Sequence, residues 1–235
     1  MGILINSLSI VLYYKIVTFS ITLAVVNEVI SLRQLKTTLI VIAILFLSLQ
    51  SAQLIEKHYQ SRGEYPPTWI QLLSSAGKGN FGTGKFSSTP NNLDLSILEP
   101  GDILLGGNPG GSYGHYTHAG MYVGNNQVVT MYTSTGVRLE PSTAYLRYHW
   151  ATVARVKASP QQKKEAVSYC RSQIGGPFFI LTPKKEDGLW YCSKLIWFAY
   201  LKQGIDLDPF NSYWILPDAF VHSPYTQVLD KAEVH

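Results

Sequence analysis

The sequence predicts an α+β domain behind an N-terminal hydrophobic segment, and three observations predict it. No charge occurs between Thr37 and Ile55. Short apolar segments rich in Val, Ile, Leu and Tyr then recur between Leu98 and Val156, separated by Gly, Asn and Pro turns. Two helical patterns follow, one opening at Ser159-Pro160 and one at Cys192.

The chain has 235 residues, 46% of them hydrophobic and only 14% charged. An ordinary soluble domain carries roughly 25% charged residues, and much of the deficit lies in residues 1–55. A net charge of +4 and a pI near 8.9 are too modest to argue for nucleic acid. No basic stripe interleaved with aromatics is visible, so weak attraction to an anionic surface or wall polymer is all the charge supports. Cys170 and Cys192 lack metal-ligand spacing and have no histidine cluster beside them, which argues against a structural zinc.

Residues 1–56 read as a targeting or transmembrane region. Ile3 to Val26 is mostly apolar, broken by Lys15, and the uncharged run follows Arg33 and Lys36. A run of that length just spans a bilayer. Its apolar core, Leu39 to Leu49, is nearer the central part of a signal peptide, although Leu49 and Gln50 make a poor cleavage site before Ser51-Ala52. Arg33 and Lys36 favour a cytoplasmic N-terminus and an exported C-terminal part. Leu35-Lys36 before an apolar run also looks like the start of a secretory precursor, with the expectation of a start at Leu35 from a UUG codon.

Residues 57–92 shift to Gly, Ser, Pro and Asn and read as a linker or arm, with one short helix expected over Tyr65–Leu73. Gly77 to Gly84 is a loop, since glycine at that density loses too much entropy in a regular element. It lacks the Gly-Lys-Ser/Thr ending of a phosphate loop. Core patterning begins in the third region, residues 93–235. Strands are expected over Asp102–Leu105, Thr117–Val123, Gln127–Thr133, Gly136–Leu139 and Ala151–Val156. Ser159 caps a helix with Pro160 at its first position, running to about Ile174 before Gly175-Gly176-Pro177. A second helix covers Cys192 to Gln203 and stops at Gly204.

A cysteine is a nucleophile only as its thiolate, which a helix N-terminus or a neighbouring imidazolium favours. Cys192 stands where a helix opens, and His118 stands in an apolar strand, which suits a catalytic pair. Alternative readings remain open. Cys192 shares a helix face with Leu195, Ile196 and Ala199, as a small core residue would. A disulfide to Cys170 is plausible in an exported protein, although Cys170 follows Ala166, Val167 and Ile174 on an apolar face. His118 is one of six histidines, with His115 three positions away.

Pro100-Gly101-Asp102-Ile103-Leu104 and the later His118-Ala119-Gly120-Met121-Tyr122-Val123-Gly124-Asn125-Asn126-Gln127-Val128-Val129 together resemble the signature of NlpC-type papain-like cysteine peptidases of cell walls. In those enzymes the cysteine helix comes first. Here Tyr191-Cys192-Ser193 follows, which is similar to the circularly permuted, YiiX-like amidases, relatives of lecithin–retinol acyltransferases. The resemblance covers Leu98 to Val228 and implies a permuted papain-like domain, an antiparallel sheet packed against helices. It further implies Cys192 as nucleophile, His118 as general base and acid, the Cys192 N–H as an oxyanion donor, and Tyr191 as a substrate contact. The ring-orienting position on the returning strand falls on Thr130, which accepts a hydrogen bond but brings no charge; Glu140 is too far along to replace it simply. Lys194 stands where permuted relatives often carry an acidic residue. For Thr130 to share the His118 face, Val123 must pair with Gln127 across a three-residue turn, Gly124 to Asn126.

The expected function is therefore a membrane-anchored or exported cysteine hydrolase, its catalytic domain outside the cytoplasm, cleaving an amide in a peptide or acyl-amide substrate. It would use no metal or organic cofactor and no nucleic-acid partner, and its membrane contact would run through the N-terminal segment. The alternatives are a lipid acyl hydrolase or acyltransferase using the same pair, which gains from the membrane segment and from the aromatics Trp190, Trp197, Phe210, Tyr213 and Trp214, most of which also read as core, and a non-catalytic binding module on the same fold, for which Thr130 argues. The helix either starts at Cys192, where its dipole helps the thiolate, or is capped by Asp187, where the help has faded.

Overall fold

The computed structural model describes residues 7–80, 82–182 and 184–234. Ile3 to Asn6 of the first apolar stretch and Phe81 of the glycine loop lie outside the described residues. The chain divides into two compact units, residues 1–48 and 49–235. The first unit is helical: helix α1 (Ser7–Ser61) begins in it, and from Leu32 to Leu47 its apolar side chains are exposed. Its long apolar stretch is long enough to cross a membrane by length and composition.

The second unit begins at Leu49 rather than at residue 57, because the last turns of α1 pack within it. Ala52 is 2% exposed, and the carboxylate of Glu56 accepts hydrogen bonds from Ser74 Oγ at 2.5 Å and Lys78 Nζ at 2.7 Å. Those partners belong to helix α2 (Thr68–Gly77) and the residue that ends it. The expected short helix thus starts three residues later than Tyr65, since Pro66 and Pro67 hold the chain extended before it. The expected linker is part of the domain: Asn91 Nδ2 donates to the carbonyls of Tyr145 and Tyr148 at 3.0 and 2.8 Å.

Six antiparallel strands form one sheet: β1 (Ile103–Gly107), β2 (His118–Gly124), β3 (Gln127–Tyr132), β4 (Gly136–Pro141), β5 (Trp150–Val156) and β6 (Thr226–Glu233). Their spatial order is β4-β3-β2-β1-β5-β6. β1 through β4 run as a meander, and β5 returns to the free side of β1 before β6 closes that edge. Alternation divides the side chains between two cores. Ile103, Leu105, Ala119, Met121, Val129 and Met131 face helices α3 (Pro160–Ser172) and α4 (Cys192–Leu201). Leu104, Tyr122, Val128 and Val153 face Tyr145, within a short 3-10 turn, Ser142–Arg147, and Tyr148, which ends it.

Several sequence signals act as expected. Ser159 Oγ accepts from the Gln162 N–H while Gln162 Oε1 accepts from the Ser159 N–H, a reciprocal cap with Pro160 first in the helix. Just before β1, buried Asp102 takes Arg155 of β5 at 2.9 Å from Nε and 2.7 Å from Nη2. The carboxylate also accepts the Glu99 N–H, so it fixes the Pro100-Gly101 turn to the sheet. Asp102→Asn is expected to lower stability by about 2 kcal/mol, since it removes the buried charge from hydrogen bonds to a guanidinium that keeps only Glu99 and the Ile97 carbonyl. Urea melts of the full chain in detergent measure that difference.

Candidate active site

Cys192 is the first residue of α4, and Tyr191 before it is extended, so the helix opens at the thiol. Asp187 is engaged elsewhere, accepting from the Tyr169 hydroxyl and pairing with Lys202 at 3.2 Å. The residues on either side of Cys192 are both tied to Ile215. Ser193 Oγ donates to the Ile215 carbonyl at 2.7 Å, and the Ile215 N–H donates to the Tyr191 hydroxyl at 3.2 Å. Lys194 adds a third tie: its buried ammonium donates to Thr182 Oγ1 at 2.9 Å and to the Leu189 carbonyl at 2.8 Å. Burial pulls that lysine down to about 8. The first turn of α4 is thereby held in one place.

Both cysteines are free. Burial pushes the Cys170 thiol well up, as suits an inert core residue. Burial acts in the same direction on Cys192, but hydrogen bonding to His118, its charge, and the backbone N–H groups of Ala119 and Ser193 outweigh it and bring the thiol below its ordinary value. The N-terminus of α4 favours the anion further.

His118 is the first residue of β2, 2% exposed, on the sheet face that carries Tyr122 and Val128. Its ring stacks on Tyr132 at 4.6 Å and faces Tyr148 at 5.9 Å. Helix α4 packs on the opposite face, so thiol and imidazole meet where β2 begins rather than over the middle of the sheet. Gly120, two residues on, is also required here. A Cβ at that position would overlap the Tyr145 hydroxyl and Val128.

The hairpin after His118 corrects the expected turn while keeping the expected face. The turn has two residues, Asn125 and Asn126, both at positive φ (55° and 56°), and Gly124 pairs with Gln127. Taken alone, that pairing would send Thr130 to the other face. A bulge between Tyr122 and Gly124 absorbs one residue, so Tyr122 still opposes Val128 and Gly120 opposes Thr130. Thr130 Oγ1 lies 2.8 Å from His118 Nε2 and donates to the Ala119 carbonyl at 2.8 Å. With its one proton committed, the hydroxyl accepts from Nε2–H, and Nδ1 is left for the thiol.

Glu140 is far from Thr130 along the chain, but the sheet brings the two close. On β4 it pairs with Val128 and sits diagonal to Thr130. Its Oε1 lies 3.8 Å from His118 Nε2, with both side chains nearly fully buried. Burial alone would lower the imidazole; Cys192 and Glu140 reverse this and raise it to about 9.

Tyr191, expected to contact substrate, is 3% exposed with its hydroxyl held by Ile215, so it serves packing at the helix start. Tyr113, which sequence alone does not single out, lies close to Cys192 and Tyr191 from the glycine-rich loop, half-buried. Asp218 accepts the next two N–H groups, of His115 and Tyr116, at 2.8 and 2.6 Å and so fixes that loop. His115 itself packs on Trp150. Among the described residues, no cluster of three or more His, Cys, Asp or Glu could hold a metal ion.

Residues 98–228 match the family model described as permuted papain-like amidase enzyme, YaeF/YiiX, C92 family. An uncharacterised Bacillus subtilis (strain 168) protein, YycO, is 32% identical over 123 residues, which is 50% of this chain and 50% of that protein. The chain thus spans about half the length of that curated relative. The crystal structure of the metalloprotein yiiX from Escherichia coli O157:H7 aligns with a TM-score of 0.49 at 18% identity, over 57% of this chain and 97% of that one. Since the family match takes in more than half of the sequence, including Cys192, His118 and the strands between them, the chain belongs to the permuted papain-like amidases of the YaeF/YiiX, C92 family.

Proposed function

We propose that this chain is a membrane-anchored cysteine hydrolase that cleaves an amide bond, in cell-wall peptide, through Cys192 and His118. The observation that carries this reading is the geometry: a free thiol, Cys192, opens α4 and is hydrogen-bonded to His118, whose ring is held by Thr130 at 2.8 Å. The thiolate would attack the amide carbonyl carbon. The Cys192 N–H, an N-terminal donor with no intrahelical acceptor, would stabilise the oxyanion. His118 would give its proton to the departing amine nitrogen, leaving an acyl thioester. In the second half the neutral imidazole would take a proton from water, whose oxygen would displace the sulfur and regenerate the pair.

A second reading, hydrolysis or transfer of a lipid acyl group by the same pair, gains from one observation. Phe179, Ile180, Leu181 and Tyr213 are exposed, Leu181 by 65% and Tyr213 by 63%. Their two segments are joined by Trp214 Nε1 donating to the Ile180 carbonyl at 2.9 Å. Both also lead to the ties around Cys192, through Thr182 and Ile215. Such an apolar rim suits an acyl chain as readily as a bilayer surface.

The test is to incubate full-length protein in detergent with wall peptides and, separately, with phospholipids. Release of an amine from the peptides is expected, and cleavage of phospholipid alone would replace the first reading by the second. Cys192→Ala is expected to abolish turnover without unfolding the domain, whereas Cys170→Ala keeps it. Equal damage from both would favour a structural role for the thiols. The rate should hold from neutral pH to about 9 and fall above it, because His118 then loses the proton that the leaving group needs.

Membrane anchoring is part of the proposal and rests on the exposed apolar helix behind Arg33 and Lys36. The protein is expected in the membrane fraction, with protease reaching the catalytic domain only from the outer side. Full-length protein recovered soluble from the cytoplasm would contradict it.

A further inference from the structure

We infer that Glu140 is the charged positioning residue of this site, dividing between two strands a task usually given to one side chain: Thr130 of β3 orients the His118 ring and Glu140 of β4 supplies the negative charge that holds it as imidazolium. The inference rests on the Cys192–His118 reading above and goes beyond it.

Geometry carries it. Thr130 Oγ1 takes the Nε2 hydrogen bond at 2.8 Å, and its own proton is committed to the Ala119 carbonyl. A neutral hydroxyl in that position fixes the ring plane but does little to favour the charged ring. Glu140 Oε1 lies 3.8 Å from the same nitrogen and, among the described residues, has no hydrogen-bond partner. The carboxylate is held for this approach by its other oxygen: Oε2 accepts from the Tyr132 hydroxyl at 2.8 Å and faces Arg138 at 3.6 Å. A buried carboxylate with one oxygen anchored and the other directed at an imidazole acts on that imidazole through charge.

The remaining groups around the ring do not supply the charge. Tyr132 of β3, and Tyr145 and Tyr148 at the 3-10 turn, are pushed up by burial and by Glu140 itself, so they stay neutral phenols. Arg138 on β4 is positive and opposes the effect. Cys192 on α4 is the partner whose thiolate the imidazolium stabilises. Tyr113 in the glycine-rich loop is raised by burial and is neutral as well. Among the described residues, that leaves Glu140 as the fixed anion at the ring.

The test follows Cys192 alkylation by iodoacetamide against pH in the full-length protein, and needs no substrate. Between its two apparent pKa values the pair holds thiolate and imidazolium together. Glu140→Gln keeps the shape and the acceptor for Tyr132 and removes only the charge. Its upper apparent pKa should fall by about one unit or more, and its alkylation rate at neutral pH should fall several-fold. Thr130→Val should move the upper value much less, and Glu140→Asp should stay nearer the parent than Glu140→Gln does. A Glu140→Gln profile superimposed on the parent overturns the assignment, as does Asp behaving like Gln or Thr130→Val shifting the upper value as far. A parent thiol inert until well above pH 9 overturns the Cys192–His118 reading together with it. If Glu140→Gln does not fold, the comparison of Glu140→Asp with Thr130→Val decides in the same way.

Discussion

Everything proposed for this chain depends on the first turn of α4 being held against the first residues of β2. Thiol and imidazole come from segments 74 positions apart, on elements that pack on different faces of the sheet. Their contact exists only because the helix start cannot drift. Ile215 is gripped from both sides, by Tyr191 and by Ser193, and Lys194 fastens the same turn to the loop before it. The residue where permuted relatives often have an acid is thus a buried lysine that works as a structural tie. Its ammonium donates to Thr182 and to the Leu189 carbonyl.

That mechanical constraint sets the electrostatics. Burial opposes charge on both members of the pair, raising the thiol and lowering the imidazole. Only their mutual contact, the backbone donors at Ala119 and Ser193, and the nearby carboxylate reverse both shifts. A buried ion pair of this kind gives little net stability, because desolvation consumes most of the Coulombic gain. Its value lies in reactivity, with a nucleophile already charged and a proton already placed for the leaving group.

Much of this architecture was legible in the sequence, and the rest was hidden for physical reasons. β1 to β5 and the two helices announced themselves through alternation, turns and the Ser159-Pro160 cap. β6 did not: with Gln227, Asp230, Lys231 and Glu233 it is a polar edge strand, and such strands carry weak apolar alternation. The Thr130 face could be derived from alternation, but the bulge at Val123 could not, because two-residue and three-residue turns fit the same Gly-Asn-Asn sequence. Glu140 was discounted because distance along a chain says nothing about a neighbour across two hairpins. Its approach to His118 needs the registers of β2 with β3 and of β3 with β4 together. Tyr113 is invisible within a loop of glycines, where only the fold brings it within electrostatic range of the thiol.

Cys192 is a thiolate at neutral pH, on this mechanism, because His118 is protonated beside it. Thiolate absorbance near 240 nm measures this directly, as the difference between the parent protein and Cys192→Ser across a pH titration. A difference of one thiolate is expected already at neutral pH, lost when His118 is replaced by alanine. A difference that stays at zero until well above pH 9 would contradict it.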